Sequence, residues 1–352
     1  MGDYEASLKM FQAAIKISPK ESRGYLGVAK SYYNLKDYTK CLESCDKALK
    51  SKPILVNRYV LYYYKGNCYY YLEDWNSAVK FYTLYINGFS TSYDLYSYRG
   101  FSFFKLGKYN EAIEDFQYFL KNPQITNNES ADAYSFVGHS YYMLNDKINA
   151  LKFGNLAFYY DSTNTNGLIL LGDILYGEKK FPEALLYFQK TLQYDSTNTY
   201  FIIKTTSTLF EMKQIQKAID GLKRLLLQKP NTVLALNNIA YFLFIDKKYK
   251  EALPYANKNI ELNDNNSNAY GTRGCVHYGL LEYEKAIADF TQSIQLNKNN
   301  PHSYYYRSLC HLKLINIKAA CSDLKKMQEY SDFEIPEGEA SIQELLRINC
   351  KE

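Results

Sequence analysis

The sequence lacks the motifs by which many enzymes and metal proteins are recognised. It has no glycine-rich phosphate-binding loop, no Gly-X-Ser-X-Gly nucleophile turn and no His-Glu-X-X-His zinc pair. It also has no run of about eighteen apolar residues, the length that a membrane-spanning helix needs. Only four His occur among 352 residues, and they show no short metal-ligand spacing. We therefore predict no catalytic residues, no metal, no cofactor and no membrane span.

A surplus of one charge sign is also missing. The chain has 42 Lys and Arg against 37 Asp and Glu, a formal net charge of +5. That surplus is too small to indicate a nucleic acid partner by itself. A mixed, solvated surface is the simpler interpretation.

The seven Cys do not form a recognisable framework. Their number is odd, and their spacing matches neither a set of disulfides nor a zinc ribbon. Most of them stand at helix positions that favour small apolar residues. We therefore predict reduced thiols and a cytoplasmic protein, with the nucleus, the cytoskeleton or a cilium as alternatives.

What the sequence does contain is a repeat of 34 residues. Its clearest copy includes Ser97–Phe119, which reads as two amphipathic helices joined by a turn at Gly107-Lys108. Two steps are longer, by three residues near Val56 and by four in the polar stretch Thr126–Ser130. We expect this polar stretch to be the most irregular interior connection and the first to be cleaved by a protease. Full repeats begin at Ser22, Tyr59, Tyr93, Ala131, Thr165, Thr199, Val233, Ser267 and Pro301.

Small residues recur where two helices must touch. Helices approach to roughly 8–10 Å only where the side chains at the crossing are small. Position 8 of the repeats is occupied in order by Ala29, Gly66, Gly100, Gly138, Gly172, Thr206, Ala240, Gly274 and Ser308. Position 20 is occupied by Cys41, Ala78, Ala112, Ala150, Ala184, Ala218, Ala252, Ala286 and Ala320.

This pattern resembles the tetratricopeptide repeat family over nearly the whole chain. The resemblance implies an all-α, right-handed superhelical solenoid of antiparallel helix pairs. Residues 1–21 are expected to be a half repeat with a second helix only, either a cap or a truncated repeat. Residues 335–352 are expected to form a capping helix, over 340–348, after a break at Pro336. The nine repeats between them, numbered 1 to 9, span 22–55, 59–92, 93–126, 131–164, 165–198, 199–232, 233–266, 267–300 and 301–334.

The family resemblance also implies a concave groove lined by the first helix of each repeat, at positions 2, 5, 9, 12 and 13. Position 12 is aromatic in eight of the nine repeats here. These rings either contact a partner or fill half-buried packing sites, since aromatic residues suit both roles. The predicted groove residues, from positions 9 and 12, are Tyr33, Asn67, Tyr70, Phe101, Phe104, His139, Tyr142, Tyr176, Phe210, Tyr241, Phe244 and Tyr278.

One activity of the family can be tested against the residues. Its co-chaperones grip a C-terminal carboxylate with Lys and Asn at positions 5 and 9, followed by Asn, Lys and Arg in the next two repeats. No three consecutive repeats match: Asn67 at position 9, for example, is preceded by Tyr63 at position 5. Without convergent cations a carboxylate has little to pair with. We therefore predict a protein or peptide partner with apolar or aromatic anchors, held in a groove poor in charge, rather than an acidic tail.

Arg and Asp occur together in three repeats. Position 7 is Arg and position 23 is Asp in repeats 3, 8 and 9 only. We predict a structural ion pair between the two helices of each of these repeats. The pairs are Arg99 with Asp115, Arg273 with Asp289, and Arg307 with Asp323.

These patterns predict a non-enzymatic interaction scaffold that binds a partner segment in its aromatic groove. The main alternative is a structural subunit of a large cytoskeletal, ciliary or organellar assembly. RNA binding is disfavoured because cations are sparse in the predicted groove. A recruiting arm of a truncated enzyme is a further alternative.

Overall fold

The protein is entirely α-helical in the part of the chain that the structure describes. The computed structural model describes residues 3–51, 54–88, 92–330 and 341–350, and no strand occurs among them. The all-α class and the consecutive pairing of helices predicted from the sequence are confirmed. The helices are α1 (Tyr4–Ile17), α2 (Ser22–Asn34), α3 (Tyr38–Lys50), α4 (Leu55–Tyr71), α5 (Trp75–Ile86), α6 (Tyr93–Lys105), α7 (Tyr109–Phe119), α8 (Asn127–Met143), α9 (Lys147–Tyr160), α10 (Thr165–Gly177), α11 (Phe181–Tyr194), α12 (Thr199–Glu211), α13 (Ile215–Gln228), α14 (Val233–Ile245), α15 (Tyr249–Leu262), α16 (Ser267–Gly279), α17 (Tyr283–Leu296), α18 (Pro301–Lys313), α19 (Ile317–Met327) and α20 (Ile342–Asn349).

The chain divides into two compact units. The N-terminal unit comprises residues 1–179 with α1 to α10, and the C-terminal unit comprises residues 180–352 with α11 to α20. Within each unit, a helix packs on its partner in the same repeat and on the next repeat, as α6 does on α7 and α8. The division falls in the turn of repeat 5, a place that the uniform period of the sequence does not indicate.

Small residues at positions 8 and 20 let the paired helices meet closely. A Cβ atom at Gly66 would lie 2.7 Å from the ring of Tyr82, and one at Gly274 would lie 2.7 Å from the ring of Phe290. Both rings stand at position 24 of the same repeats and are fully buried. The residue at position 20 is fully buried in all nine repeats. A larger side chain at either position would displace the packed ring or separate the helices.

The turn inside each repeat has one residue in the left-handed region. Gly107 has φ +73°, and the other eight repeats place a non-glycine residue there with φ between 58° and 63°. This residue is always position 15. It reverses the chain between the two helices, as an αL residue does at many helix ends. The non-glycine residues are Lys36, Glu73, Asn145, Lys179, Lys213, Lys247, Leu281 and Ile315.

The extra residues between repeats lengthen first helices instead of forming loops. Helix α4 begins at Leu55 and α8 at Asn127, each four residues before its predicted repeat. The expectation of an irregular connection at Thr126–Ser130 is therefore wrong. A capping box explains it: Glu129 N–H donates to Thr126 Oγ1 at 3.3 Å, and Thr126 N–H donates to the Glu129 carboxylate at 2.9 Å.

The C-terminal helix α20 packs on the last repeat. It begins after Ser341, whereas the sequence predicts a helix over 340–348; the predicted break at Pro336 lies outside the described residues. Ile342 and Leu345 are buried in the same core cluster as the α19 residues.

A disulfide joins α19 to the end of α20. It connects Cys321 with Cys350, whose Cα atoms are 5.6 Å apart. The prediction that all seven Cys are reduced is therefore wrong for these two. The other five are free and buried in the helical core, as their apolar positions predict. Among the described residues, no helix is both long enough and apolar enough to cross a bilayer.

Candidate functional site

The predicted aromatic row at position 12 is largely half-buried. Tyr142 illustrates the arrangement, because it packs beside the small core cluster of Ala150, Leu170 and Ile174. Phe244 is buried, and the other aromatic members are partly exposed. The rings therefore contribute to packing and keep part of their surface open. The half-buried members are Tyr33, Tyr70, Phe104, Tyr142, Tyr176, Phe210 and Tyr278.

The predicted polar groove residues at position 9 are held by hydrogen bonds. Asn67 is buried; it donates to Tyr33 Oη at 3.3 Å and accepts from Tyr82 Oη at 2.9 Å. His139 Nε2 donates to the carbonyl oxygen of Asn166 at 3.1 Å, and burial lowers the pKa of its imidazole. These side chains stabilise the groove wall and are not free to reach a ligand.

A pocket of about 540 Å³ opens in the N-terminal unit, and we call it the aromatic pocket. Its walls come mainly from the first helices of three successive repeats, α4, α6 and α8, with two rings of α7 behind them. The lining residues are Tyr63, Tyr70, Ser92, Asp94, Leu95, Ser97, Tyr98, Phe101, Phe116, Phe119, Glu129, Asp132, Ala133 and Phe136.

The pocket walls are a continuous set of aromatic rings in mutual contact. Tyr70 lies 5.2 Å from Tyr98 and 5.6 Å from Phe101, measured between ring centroids. Phe101 in turn lies 5.2 Å from Phe136, which stacks on Phe116 at 5.3 Å. Such contacts fix the rings in place, so the pocket is formed before any ligand arrives. Tyr98 is the most open of the five, with 39% of its surface exposed.

The pocket rim is acidic. Asp94 lies in the first turn of α6, while Glu129 and Asp132 lie near the start of α8. All three carboxylates are exposed, and none forms an ion pair with a Lys or Arg of the described residues. Desolvation raises the pKa of the Asp132 carboxyl, and Asn164 Nδ2 holds it at 2.7 Å. Burial also raises the pKa of Tyr98, with further contributions from neighbouring tyrosines and from Asp94 and Glu129.

The structure brings together only part of the predicted groove. Tyr70 and Phe101 line the aromatic pocket, whereas the other ten predicted residues do not. Tyr63, Tyr98 and Phe136 were missed because they stand at positions 5 and 6, which the aromatic rows at positions 9 and 12 do not include. The acidic rim was missed too, although Asp94 and Asp132 both occupy position 2. A comparison of positions 2, 5 and 6 across repeats 2 to 4 would have revealed this cluster.

The C-terminal unit has a smaller and more polar cleft. Its volume is about 210 Å³, and it contains the predicted residue Tyr241. His302 lies beside it, with its ring centroid 6.2 Å from that of Tyr241, and burial lowers the pKa of His302 to about 4. The other lining residues are Asn237, Asn268, Gly271, Thr272 and Asn300.

The predicted Arg and Asp residues lie side by side in all three repeats. In repeat 3, Arg99 Nε and Nη2 donate to the two carboxylate oxygens of Asp115 at 2.8 and 2.7 Å. The corresponding pairs in repeats 8 and 9 have the same two-bond geometry. Each Asp is buried, at 5–6% exposure. The pairs connect the two helices of a repeat and leave no group available for chemistry.

Each of these arginines also reaches the preceding repeat, which sequence reasoning missed. Arg99 Nη1 donates to Thr83 Oγ1 at 3.1 Å, and Thr83 stands at position 25 of repeat 2. Lys65, at position 7 of repeat 2, forms an ion pair with Asp46, which stands at position 25 of repeat 1. The sequence signal for this contact is a polar residue at position 25 of one repeat followed by a Lys or Arg at position 7 of the next repeat. The remaining contacts are Arg273 to Asn257 and Arg307 to Thr291.

Comparison with protein-family models finds tetratricopeptide repeats at residues 22–54, 94–124 and 267–300. These segments coincide with repeats 1, 3 and 8. The chain is a tetratricopeptide repeat protein. Comparison with curated proteins finds no significant match.

Several solved structures resemble the chain in fold. A tetratricopeptide repeat protein from Parabacteroides merdae is 16% identical with a TM-score of 0.55, covering 72% of this chain and 98% of its own. A structure of the APC/C hetero-tetramer Cut9-Hcn1 is 13% identical with a TM-score of 0.59, covering 98% and 82%. PilF of Pseudomonas aeruginosa is 20% identical with a TM-score of 0.51, covering 63% and 99%. At these identities the likeness concerns the fold alone.

The fold suggests an interaction scaffold, because tetratricopeptide repeat proteins are generally non-enzymatic and bind other proteins. Among the described residues, no group of three or more His, Cys, Asp or Glu side chains is arranged to hold a metal ion.

Proposed function

We propose that the chain is a non-enzymatic scaffold whose aromatic pocket binds a segment of a partner protein. The observation that carries this proposal is the pocket itself, with five aromatic side chains in mutual contact around about 540 Å³. Rigid rings provide contact area at low entropic cost, and tyrosine hydroxyls can bond a peptide backbone. The predicted position-12 row would extend this surface within the same unit through Phe104 and Tyr142.

Tyr98 is the residue on which to test the proposal. It lines the pocket with 39% of its surface exposed, so its replacement removes contact surface, together with a stacking contact to the buried Tyr82 at 6.2 Å. Tyr142 is a poorer choice because it does not line the pocket and packs against core residues. Tyr159 provides a matched control, since it lies on α9 of the same unit, is 80% exposed and does not line the pocket.

The experiment is a selection of binders from a phage-displayed library of random 16-residue peptides on the immobilised full chain. Binding of the selected peptides is then measured by fluorescence polarisation. We expect Tyr98→Ala to weaken the tightest binders at least tenfold, about 1.4 kcal/mol, and Tyr159→Ala to leave them unchanged. Far-ultraviolet circular dichroism should show equal helix content in all three proteins.

Two results would overturn the proposal. One is a selection that yields no binder, and the other is a set of binders that Tyr98→Ala does not affect. Either result would favour the alternative of a structural subunit held by surfaces other than the groove.

A further inference from the structure

The aromatic pocket differs in charge from the chain that contains it. The whole sequence carries a net charge of +5, yet three exposed carboxylates and no paired cation surround the pocket. Such a local reversal gives the pocket a negative field and attracts ligands of the opposite sign. The sequence predicts a groove poor in charge, and the acidic rim departs from that prediction.

The arrangement of the carboxylates restricts the kind of cation. They lie around the mouth of a wide pocket and do not converge as a metal-binding set among the described residues. A phosphate backbone would be repelled by the same rim, which disfavours nucleic acid. Aromatic walls below an acidic rim suit an organic cation that has an apolar stem. Lys and Arg side chains have this form.

We propose that the aromatic pocket selects a partner segment carrying a Lys or Arg side chain. The side-chain stem would contact the rings of Tyr70, Tyr98 and Phe136, and its charged head would lie among the rim carboxylates. This inference rests on the proposed function, because it specifies the chemistry of the segment that the pocket binds.

One contact within the chain shows that these rings accept a cation. Lys105 Nζ lies 5.2 Å from the ring centroid of Phe101. Lys105 is exposed on α6 and does not itself line the pocket. Apart from Phe101, none of the rings that line the pocket has a Lys or Arg over it among the described residues. A cation supplied by a partner would complete the arrangement.

The test uses the peptides whose binding depends on Tyr98. Each Arg is replaced by citrulline, which has nearly the same shape without the charge, and each Lys by acetyl-lysine. We expect the critical replacement to weaken binding to the full chain about tenfold, equivalent to 1.4 kcal/mol. Raising the salt concentration from 50 to 300 mM should also weaken the unmodified peptide, because exposed charges are screened.

Protein variants test the rim directly. Asp94→Asn with Glu129→Gln removes two rim charges and keeps the capping box, since Gln serves at the same position as Glu. The matched control is Glu111→Gln with Glu114→Gln on α7, which changes the net charge equally at exposed sites that do not line the pocket. We expect about a fivefold loss for the rim variant and little change for the control.

The failures of the two proposals are distinguishable. Binders that depend on Tyr98 but carry no basic residue would overturn the charge inference and leave the proposed function intact. Equal losses for the rim and control variants would also overturn it, because the effect would then be one of total charge. The absence of any binder that depends on Tyr98 would overturn the proposed function.

Discussion

The cation at position 7 holds three helices together. In repeat 8, Arg273 on α16 donates to Asp289 on α17 and to Asn257 on α15 of the preceding repeat. Its guanidinium also lies 5.7 Å from the ring centroid of Tyr270. A planar group with five donors can satisfy all of these partners at once, whereas an ammonium group cannot. The same set of contacts recurs around Arg99 and Arg307.

Removing one arginine should therefore be costly. We expect Arg99→Ala to lower the free energy of unfolding by about 2–4 kcal/mol, because buried Asp115 would lose its partner. Urea unfolding followed by circular dichroism measures the change. The double variant Arg99→Leu with Asp115→Leu should recover much of the loss, since no buried charge would remain. Unchanged unfolding of Arg99→Ala would contradict this account of the pair.

A histidine modifies the same effect in repeat 8. His277 Nε2 lies 3.8 Å from the Asp289 carboxylate, and its Nδ1 lies 2.6 Å from Glu282. The imidazole stays beside the Asp289 carboxylate when Arg273 is removed. We therefore expect Arg273→Ala to lower the free energy of unfolding, measured in urea, by less than Arg99→Ala does.

At the scale of the element, the turn within each repeat is strained in most copies. Ile315 has φ +61°, a region in which a β-branched residue is disfavoured by roughly 1–2 kcal/mol. It is 82% exposed, so little packing depends on it. The helices on either side determine the turn, and the residue at position 15 must accept the conformation they impose.

Ile315→Gly should consequently stabilise the protein. The relief of strain exceeds the entropic cost of a glycine, and we expect a net gain of about 0.5–1 kcal/mol in urea unfolding. Gly107→Ala is the converse control. A Cβ atom there would have no neighbour closer than 4.0 Å. Any decrease in the free energy of unfolding of Gly107→Ala would therefore come from the backbone conformation alone. A destabilised Ile315→Gly variant would show that the side chain contributes more than its exposure indicates.

Helix α20 is the element that covers the last repeat. Leu324 and Met327 on α19 are fully buried, and Ile342 and Leu345 of α20 belong to the same core cluster. Removing residues 341–352 should expose this apolar surface and cause the protein to self-associate. Size-exclusion chromatography with light scattering measures the mass. A truncated chain that stays monomeric and melts at the wild-type temperature would contradict the capping role.

At the scale of the whole molecule, the sequence was sufficient for the repeat architecture. The helix pairs follow from small residues at fixed spacing, such as Gly66 and Ala78, because these positions record a contact within one repeat. The site was less predictable since its walls come from three repeats. Tyr70, Phe101 and Phe136 meet there from repeats 2, 3 and 4 at three different positions, which no single aligned column contains.

Two further features could not be predicted from the sequence, because they too depend on contacts that occur only once in the chain. Cys321 and Cys350 are 29 residues apart and are joined only because α20 folds back on α19. Glu129 lies in an insertion, where the repeat pattern makes no prediction, and its place at the pocket rim depends on the added turn of α8. Contacts that repeat along the chain could be read from the sequence, whereas contacts that occur once could not.

The position-7 cations also determine which parts of the chain should open together. They link repeats 1 to 3 in the N-terminal unit and repeats 7 to 9 in the C-terminal unit, while repeats 4 to 7 carry Val137, Leu171, Thr205 and Ile239 at that position. In a one-dimensional lattice of repeats, stronger coupling between neighbours makes them unfold as a single foldon. The outer repeats of a solenoid ordinarily fray first, having a neighbour on one side only. Here the position-7 cations couple the outer repeats to their neighbours, so amide exchange should show two cooperative end blocks in place of gradual loss from the termini.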